Sequence, residues 1–492
     1  MTDAQNIIAS NLKAFNGQAL RQAEAIRYYD GDHPLVFSTE KVRKIFPEVE
    51  RATFAENWIS IVCNAVIDRM GLTGFTVAEN DAATDKANGF FDRFAWGALA
   101  EEVHQQVVVT GEAFVITDVD EDTPEAYCQP SPNCYAVYDH AHPRKLTAVI
   151  KRYLDDSTDP AVWRLYVYER TEDGGCILSK FSAPKDSGTE AKSYTLDADG
   201  EVELPVFPVF HFRADRRQTR PDFADVIPLQ DGVNKLFADL MVTSEGCAFP
   251  FRAIISAADV GNATAIKPGD FIALPGAAGD EQPTSIIQLA QANLSIYTEA
   301  KADLAHAIAS ISRTPRHYFI SNGGDPSGEA LQAMEAPLVK KVYRYMSRVA
   351  GTWRDLCAHM LALDGMPGIE PEAITVNWDD PRTVQPLSQA QTREINVRAG
   401  VPIITQLRDE GWRDAEIDQL KQDSMEAGGA GAETLPPLTE PQFAVTEAQL
   451  APIIEAVTTT IGDVALAKIL EGGRLEKLIA AQQAQTAPGA AS

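Results

Sequence analysis

Residues 313–337, RTPRHYFISNGGDPSGEALQAMEAP, are the basis of the fold prediction, because they connect two segments whose apolar side chains have helical spacing. The upstream segment has apolar side chains every three or four residues, at Tyr297, Ala300, Leu304, Ile308 and Ile311. This spacing predicts a helix that ends before Pro315. Downstream, the same period predicts a longer helix from about residue 327 to residue 363. We expect Pro337 to kink it, since proline lacks an N–H and clashes with the preceding turn.

A third long helix is predicted before these two. Residues 221–248 place apolar side chains in helical register, at Leu229, Val233, Leu236, Phe237 and Leu240. At 1.5 Å per residue this helix would reach on the order of 35 Å. Glycine and proline turns then separate two short strand-like runs, Arg252–Ser256 and Phe271–Leu274. Two long helices separated by a segment of turns and short strands are unusual in a compact enzyme domain. They are typical of a chain that lines a tunnel.

The N-terminal part combines helices with a long strand-rich region. Helices are predicted over residues 3–28, from the N-cap Asn57 to Gly71, and over residues 85–110, where Gly111 ends the last one. Residues 113–212 change to a period of two, which predicts antiparallel strands. The predicted fold class is therefore α+β.

The C-terminal part is predicted to be helical and loosely organised. After a strand at Ile374–Trp378, a capping box beginning at Ser388 starts a helix that stops at Gly400, and two shorter helices follow. Residues 427–492 are rich in Ala, Gly, Pro and Thr, with helix expected between Glu447 and Ile479.

Composition limits the classes of function. The 492 residues carry a formal net charge of -27, which argues against a protein that grips nucleic acid by releasing counterions. No signal peptide or membrane span is predicted, so we expect the protein in the cytosol or in a particle assembled there. The six cysteines lack Cys-x-x-Cys spacing and are expected to be buried or incidental thiols, with neither a metal nor a cofactor.

No motif in the sequence indicates an enzyme. The glycines near residue 323 lack the Gly-Lys-Ser/Thr ending of a phosphate-binding loop. Asp139, His140 and His142 are the nearest approach to a metal site, and no partner cluster accompanies them. The densest basic group, at Arg213, Arg216, Arg217 and Arg220, allows two interpretations. Contact with DNA phosphates is one; pairing with acidic groups of a neighbouring subunit, or simple solvation, is favoured in so acidic a chain.

Five short motifs occur in order between Ala25 and Leu420. They are Tyr28-Tyr29-Asp30-Gly31-Asp32-His33-Pro34, Asn57-Trp58, Val226–Asp231 with Asn234-Lys235-Leu236, the Pro315 loop with Ser327–Leu331, and Trp378-Asp379-Asp380-Pro381. In this order and spacing they resemble the portal protein family of tailed bacteriophages, in the form found in long-tailed siphophages.

The resemblance implies a portal-type fold. Its expected parts are an α+β wing (1–220 and the C-terminal part of 327–422), a helical stem (221–248 and 291–312), a small β-containing clip (249–290), a tunnel loop (313–326), a kinked long helix and a helical crown (423–492). It implies channel-facing candidates in the tunnel loop at Arg313, Arg316, His317, Tyr318, Asn322, Gly323 and Gly324, and on the stem at Lys235 and Lys301.

The resemblance also implies partners and a location. We expect a homo-oligomeric ring of about twelve copies at the portal vertex of the virion, assembled in the host cytoplasm. Its expected partners are the terminase large subunit, major capsid and scaffolding proteins, a head–tail adaptor and double-stranded DNA, with no membrane. Two alternatives stay open: another virion protein, such as an adaptor or minor capsid protein, and a metal-dependent hydrolase using Asp139, His140 and His142.

Overall fold

The structure is a computed structural model. It describes residues 3–34, 56–120, 123–215, 219–248, 252–256, 271–275, 285–288, 293–319, 328–382, 393–409, 417 and 419–422. The chain divides into two compact units, Met1–Gly411 and Trp412–Ser492. All elements named below belong to the first unit, and the described residues of the second are helical.

The elements follow one another in a mixed order of helices and strands. The helices are α1 (Asp3–Asp30), α2 (Trp58–Ile67), α3 (Asp81–Arg93), α4 (Trp96–Thr110), α5 (Ile227–Ala248), α6 (Ser295–Ser312), α7 (Gly328–Leu363) and α8 (Ile403–Asp409). The strands are β1 (Leu72–Val77), β2 (Glu112–Asp120), β3 (Thr123–Gln129), β4 (Cys134–Tyr138), β5 (Leu146–Asp155), β6 (Val162–Arg170), β7 (Cys176–Pro184), β8 (Thr195–Leu204), β9 (Val209–Arg213), β10 (Arg252–Ser256), β11 (Phe271–Pro275), β12 (Ser285–Gln288) and β13 (Ile374–Trp378).

The predicted strand-rich region forms two antiparallel sheets. One has the order β4-β5-β6-β7-β8, and the other has the order β3-β2-β9. Helix α1 lays its buried face, with Ile8, Leu12 and Phe15, on the larger sheet at Ile150 and Phe181. The prediction of an antiparallel region is confirmed, although β3, β4, β7 and β8 were not predicted individually.

Helix α7 is the central element of the largest core. Its buried side chains recur at helical spacing, at Leu338, Val342, Val349, Trp353 and Leu356. They pack in one cluster with α2, α4 and β9. Pro337 is the tenth residue of this helix, so it lies inside the helix as the sequence predicted.

Between α5 and α6 the described residues form a three-stranded sheet of order β11-β10-β12. β10 pairs with β11 in parallel and with β12 in antiparallel orientation. The two strands predicted here are confirmed. The preceding helix begins at Ile227, later than the predicted residue 221, because residues 221–226 form turns closed by the bond from Val226 N to the Phe223 carbonyl at 2.7 Å.

The prediction of one helix over residues 85–110 is wrong. The chain forms α3 and α4, separated at Ala95, whose φ of 51° is left-handed. This break turns the Trp96 indole into the core, where its ring centroid lies 5.6 Å from that of Phe75 and 6.0 Å from that of Trp353. The break falls at an alanine, and the nearest glycine, Gly97, lies inside the first turn of α4, so the sequence did not mark the boundary at residue 95.

Candidate functional site at the root of the long helices

The end of α1 is joined to the start of α5 by side-chain hydrogen bonds. The Tyr28 hydroxyl donates to Oδ1 of Asp231 at 2.9 Å. Nδ2 of Asn234 donates to Nδ1 of His33 at 3.0 Å, so the ring proton lies on Nε2, which donates to the Tyr28 carbonyl at 2.7 Å. Burial raises the pKa of the Tyr28 hydroxyl and of the Asp231 carboxyl, and the bond between them satisfies both groups.

Helix α2 is tied to the same place through Gln230, which is fully buried. Its Oε1 accepts from the Trp58 amide at 3.0 Å. Its Nε2 donates to the Glu56 carbonyl at 2.6 Å and to Oδ1 of Asn234 at 3.0 Å. Asn57, which caps α2, also donates from Nδ2 to the Tyr29 carbonyl at 2.7 Å.

Three motifs that are far apart in sequence therefore meet at one point. We call this point the junction and define it by Tyr28, His33, Asn57, Trp58, Gln230, Asp231 and Asn234. Because α5 starts inside this buried polar network, the direction in which the helix leaves the core is fixed by hydrogen bonds as well as by apolar packing.

Helix α5 leads away from the junction, and α6 runs back towards it, antiparallel to α5. The Thr243 and Tyr297 hydroxyls lie 3.0 Å apart at one end of the pair. Near the other end, a Cβ on Gly232 would stand 3.3 Å from Cδ1 of Leu304, so a glycine there permits close approach.

Both lysines predicted on these helices are paired within the chain. Nζ of Lys301 forms an ion pair with Glu56 and lies 5.5 Å from the centre of the Trp58 ring. Lys235 pairs with Asp239, one turn further along α5. Their charges are thus offset by carboxylates of the same chain.

The segment after α6 begins with Arg313, which takes a left-handed φ of 61° and is exposed. Its amide and that of Thr314 both bond to the Ala309 carbonyl, which ends the helix. A single 3₁₀ turn, Arg316–Tyr318, follows Pro315. Asn322, Gly323 and Gly324 lie outside the described residues.

Tyr318 anchors this turn to the core. Its hydroxyl accepts from Nη2 of Arg69 at 2.7 Å and donates to Oε1 of Glu335 at 3.1 Å. Arg69 and Glu335 also form an ion pair at 3.3 Å, and burial raises the pKa of the Tyr318 hydroxyl. The next residue, Phe319, packs edge-on against Trp58 of the junction, with ring centroids 5.6 Å apart.

Arg316 and His317 are half-buried beside this anchor. His317 Nε2 lies 4.0 Å from Glu335 Oε1. Nε of Arg316 and Nδ1 of His317 are buried, and no described residue offers either atom a hydrogen bond. A buried polar atom that stays without a hydrogen bond costs about 1–3 kcal/mol.

A second polar cluster holds the last turn of α6. Nζ of Lys341 donates to the Ser312 carbonyl at 2.9 Å and forms an ion pair with Asp222. The Tyr345 hydroxyl donates to Oδ1 of Asp222 at 2.9 Å. The side chains of Lys341 and Asp222 are only 7% and 11% exposed, so this ion pair is buried.

The sequence analysis did not single out Glu335, Lys341, Asp222 or Arg69. A signal existed, since Glu335 and Lys341 stand on the same face of α7 as the apolar Leu338 and Val342. Charged side chains within an apolar stripe indicate buried pairing.

The residues of the hydrolase hypothesis form an exposed turn. The Asp139 carboxylate accepts from the backbone amides of Ala141 and His142, at 2.7 and 3.3 Å, which lowers its pKa. Within the described ranges, no group of three potential metal ligands is found. Among the described helices, none combines the length and the apolar character needed to cross a bilayer.

Two sequence comparisons with known proteins agree with the family resemblance. A portal protein of Mycobacterium phage D29 is 28% identical over 154 residues, which span 30% of this chain and 31% of that protein. A chain from the virion of a native gene transfer agent particle aligns with a TM-score of 0.39 and 13% identity, covering 77% of this chain and 89% of the other. The model of the family "Phage portal protein, SPP1 Gp6-like" matches residues 13–424, so the chain belongs to that family.

Proposed function

We propose that the chain is a portal subunit that assembles into a closed ring of about twelve copies around a central channel. The ring occupies one vertex of the capsid. Double-stranded DNA enters through it during packaging by the terminase large subunit and leaves through it at ejection. The ring also joins the head to the tail through an adaptor and contacts capsid and scaffolding proteins during assembly in the host cytoplasm. The match to the family model over residues 13–424 carries this proposal.

The arrangement of the long helices supports this role. Helix α5 leaves the junction and α6 returns beside it, with the strands β10–β12 between them in sequence, and α7 packs in the core. We assign α5 and α6 to the stem, residues 249–290 to the clip, the α+β part to the wing, and residues 423–492 to the crown. We also assign a bend of α7 to Pro337, where the helix lacks one backbone hydrogen bond.

Exposed apolar side chains on these helices favour assembly. Ile296 is 61% exposed, Ile311 51%, Met241 42% and Met334 40%. Contact with neighbouring copies would remove these side chains from water, at about 25 cal/mol for each Å² of apolar surface buried. The acidic character of the chain suits a channel along which a polyanion slides without sticking.

We assign contact with passing DNA to the loop at residues 313–326. Arg313 is exposed at its start, and Arg316 and His317, each half-buried, follow it as further cationic candidates. Tyr318 has its hydroxyl engaged with Arg69 and Glu335, so we assign it to holding the base of the loop. Gly323 and Gly324 supply the backbone freedom that such a loop would use.

One experiment tests the ring and the loop together. Native mass spectrometry of the purified full-length protein should give a species near twelve times 53.5 kDa. A monomer in every buffer would refute the portal assignment. The variant Arg313→Ser/Arg316→Ser/His317→Ser should keep the ring and lower the amount of DNA packaged, whereas Lys340→Ser/Arg344→Ser, which removes exposed cations of α7, should not. Normal packaging by the loop variant would refute the loop assignment alone.

A further inference from the structure

A basic cleft lies where the large sheet (β4-β5-β6-β7-β8), β9 and α7 meet. Its volume is about 970 Å³, and its cations come from the β4–β5 turn, β6, β9 and α7: Arg144, Lys145, Arg170, Arg213 and Arg348. Arg348 forms an ion pair with Asp215 at 3.6 Å, so these two charges offset each other. Among the described residues that line the cleft, the remaining carboxylate is that of Asp355. The cleft therefore keeps an excess of positive charge, in a chain with 70 acidic and 43 basic residues.

Two arginines of the basic cleft are ordered by aromatic rings. The Arg213 guanidinium lies 4.3 Å from the centre of the Tyr138 ring, and that of Arg170 lies 4.4 Å from the centre of the Phe207 ring. Asp355 interacts with the charge of Arg170 only at longer range. Stacking on a ring orders a guanidinium and leaves its N–H donors directed outward, so these two side chains suit a carboxylate partner.

The opposite edge of the same sheet carries carboxylates. β8 is the last strand in the order of the large sheet, and Glu201 and Glu203 on it are exposed. Neither of them forms an ion pair with another residue in the described part of the chain. Charged side chains on an edge strand hinder pairing with a further strand. A partner of β8 is thus expected to meet it through side chains and to bring cations.

The strand register keeps these carboxylates away from the basic cleft of their own chain. Glu201 lies opposite Ser179 and Glu203 opposite Ile177 on β7. Because side chains alternate along a strand, both share a face of the sheet with Phe181, which packs in one cluster with α1.

Arg170 lies on the other face of the large sheet. It alternates with the same period as Tyr168, which packs in a different cluster with Val209 of β9. The two edges of the sheet, β4 and β8, are also four strand spacings or roughly 19 Å apart. Glu201 and Glu203 are therefore available to a different copy rather than to their own cleft.

We propose that the basic cleft of one copy binds the β8 edge of the next copy through Glu201 and Glu203. The inference rests on the proposed ring and names one of its contacts. Subunits with a net charge of -27 repel one another when they pack closely, and a contact of opposite charges offsets that repulsion locally. A second copy supplies carboxylates to the cleft and cations to β8 in one contact, whereas nucleic acid would serve the cleft alone.

The placement of the two surfaces suits a ring. The basic cleft and the β8 edge are different surfaces, so a contact between them is heterologous. Since the cleft includes residues of β4–β6 and the carboxylates lie on β8, each copy can contact one neighbour through the cleft and another through β8. The same contact can then repeat from copy to copy until the ring closes.

Charge reversal on each side tests the proposal. The cleft variant is Arg144→Glu/Lys145→Glu in the exposed β4–β5 turn, and the β8 variant is Glu201→Lys/Glu203→Lys. In native mass spectrometry at low salt, each variant alone should show a fraction of rings at least about tenfold below that of the wild type, because like charges then face each other across the contact.

Two controls carry the same changes of charge at other exposed positions. Lys340→Glu/Arg344→Glu on α7 matches the cleft variant, and Asp118→Lys/Glu125→Lys on β2 and β3 matches the β8 variant. Both controls should form rings as the wild type does. Equal losses in a variant and its control would show an effect of net charge and would overturn the proposal.

Mixing the two reversal variants is the decisive step. In an equimolar mixture, β8 edges carrying lysine meet clefts carrying glutamate, and the alternate contacts are native. Rings with equal numbers of the two chains should therefore return. Their absence, when circular dichroism shows both variants folded, would overturn the proposal.

Neutral substitutions serve if a reversal variant does not fold. Arg144→Gln/Lys145→Gln and Glu201→Gln/Glu203→Gln keep the size of the side chains and should each lower the fraction of rings. Normal rings from both would overturn the proposal.

The remaining outcomes separate this contact from the proposed function. If the wild-type protein forms no ring, the proposed function fails first. If wild-type rings form and the reversals do not affect them, only this contact fails. A cleft variant that keeps its ring but binds short duplex DNA more weakly would assign the basic cleft to DNA and overturn the proposal.

Discussion

Replacing Lys341 by Met should destabilise the protein strongly, because the substitution leaves a buried carboxylate without its cation. The side chain of Asp222 is 11% exposed, and among the described residues only the Tyr345 hydroxyl remains as a side-chain donor to it. Removing one partner of a buried ion pair costs about 3–5 kcal/mol. The Ser312 carbonyl at the end of α6 also loses the lysine that bonds to it at 2.9 Å.

Urea unfolding of the full-length chain, followed by tryptophan fluorescence, measures this loss. The second variant, Lys341→Met/Asp222→Asn, removes the stranded charge but keeps an acceptor for Tyr345. It should recover most of the stability and retain a deficit of about 1–3 kcal/mol from the unsatisfied Ser312 carbonyl. The control Lys340→Met changes the exposed neighbouring lysine and should stay within about 0.5 kcal/mol of the wild type.

Two results would refute this reasoning. A loss below about 1 kcal/mol in Lys341→Met would show that the ion pair is not buried as described. A double variant no more stable than the single one would show that the stranded Asp222 charge is not the cause.

Two further predictions concern acid stability and backbone strain. Burial lowers the pKa of His104 to about 3 and that of His359 to about 4, so between these values and about 6.5 the unfolded chain binds more protons than the folded one. Stability should therefore fall by about 1.4 kcal/mol per pH unit per histidine as the pH drops below about 6.5, and urea midpoints that stay constant from pH 7.5 to pH 5 would contradict this. A Cβ on Gly111, where φ is 93°, would lie 2.5 Å from the Arg220 amide nitrogen, so Gly111→Ala should abolish folding at 37 °C or lower the Tm by many degrees. At Gly365, where φ is 88° and no atom lies within 4 Å of that position, Gly365→Ala should cost only about 1–2 kcal/mol, and equal melting temperatures for the two variants would contradict the clash.

The elements that sequence predicted well are those with a strong apolar period. Helix α7 was expected over residues 327–363 and is observed at Gly328–Leu363, and the end of α4 at Gly111 was expected from the glycine. Both depend on local signals, namely a repeated spacing and a residue suited to a left-handed φ. The break at Ala95 has neither signal. It is stabilised by the packing of Trp96 against aromatic rings from distant segments, which local sequence does not reveal.

The site was predictable only in part, for a related reason. The sequence singled out Arg313, Arg316, His317 and Tyr318 as one loop, but local reasoning could not show that Tyr318 bonds to Arg69, which is 249 residues away. Nor could it bring Arg170 and Arg213 into one cleft, because their meeting depends on how the large sheet packs beside β9 and α7.

The motifs that carry the family resemblance are short and scattered, and the junction gives a physical reason for this. An apolar stripe such as that of α7 accepts exchanges among Leu, Ile, Met and Val at a cost usually below about 1.5 kcal/mol, so many sequences serve it. A buried network such as Tyr28–Asp231, His33–Asn234 and Trp58–Gln230 demands a donor opposite each acceptor at about 3 Å. Each partner therefore limits the other to one or two residue types, however far apart the two lie in sequence. The residue type at each position of the junction is therefore restricted individually. The long helices are restricted only in the spacing of their apolar side chains.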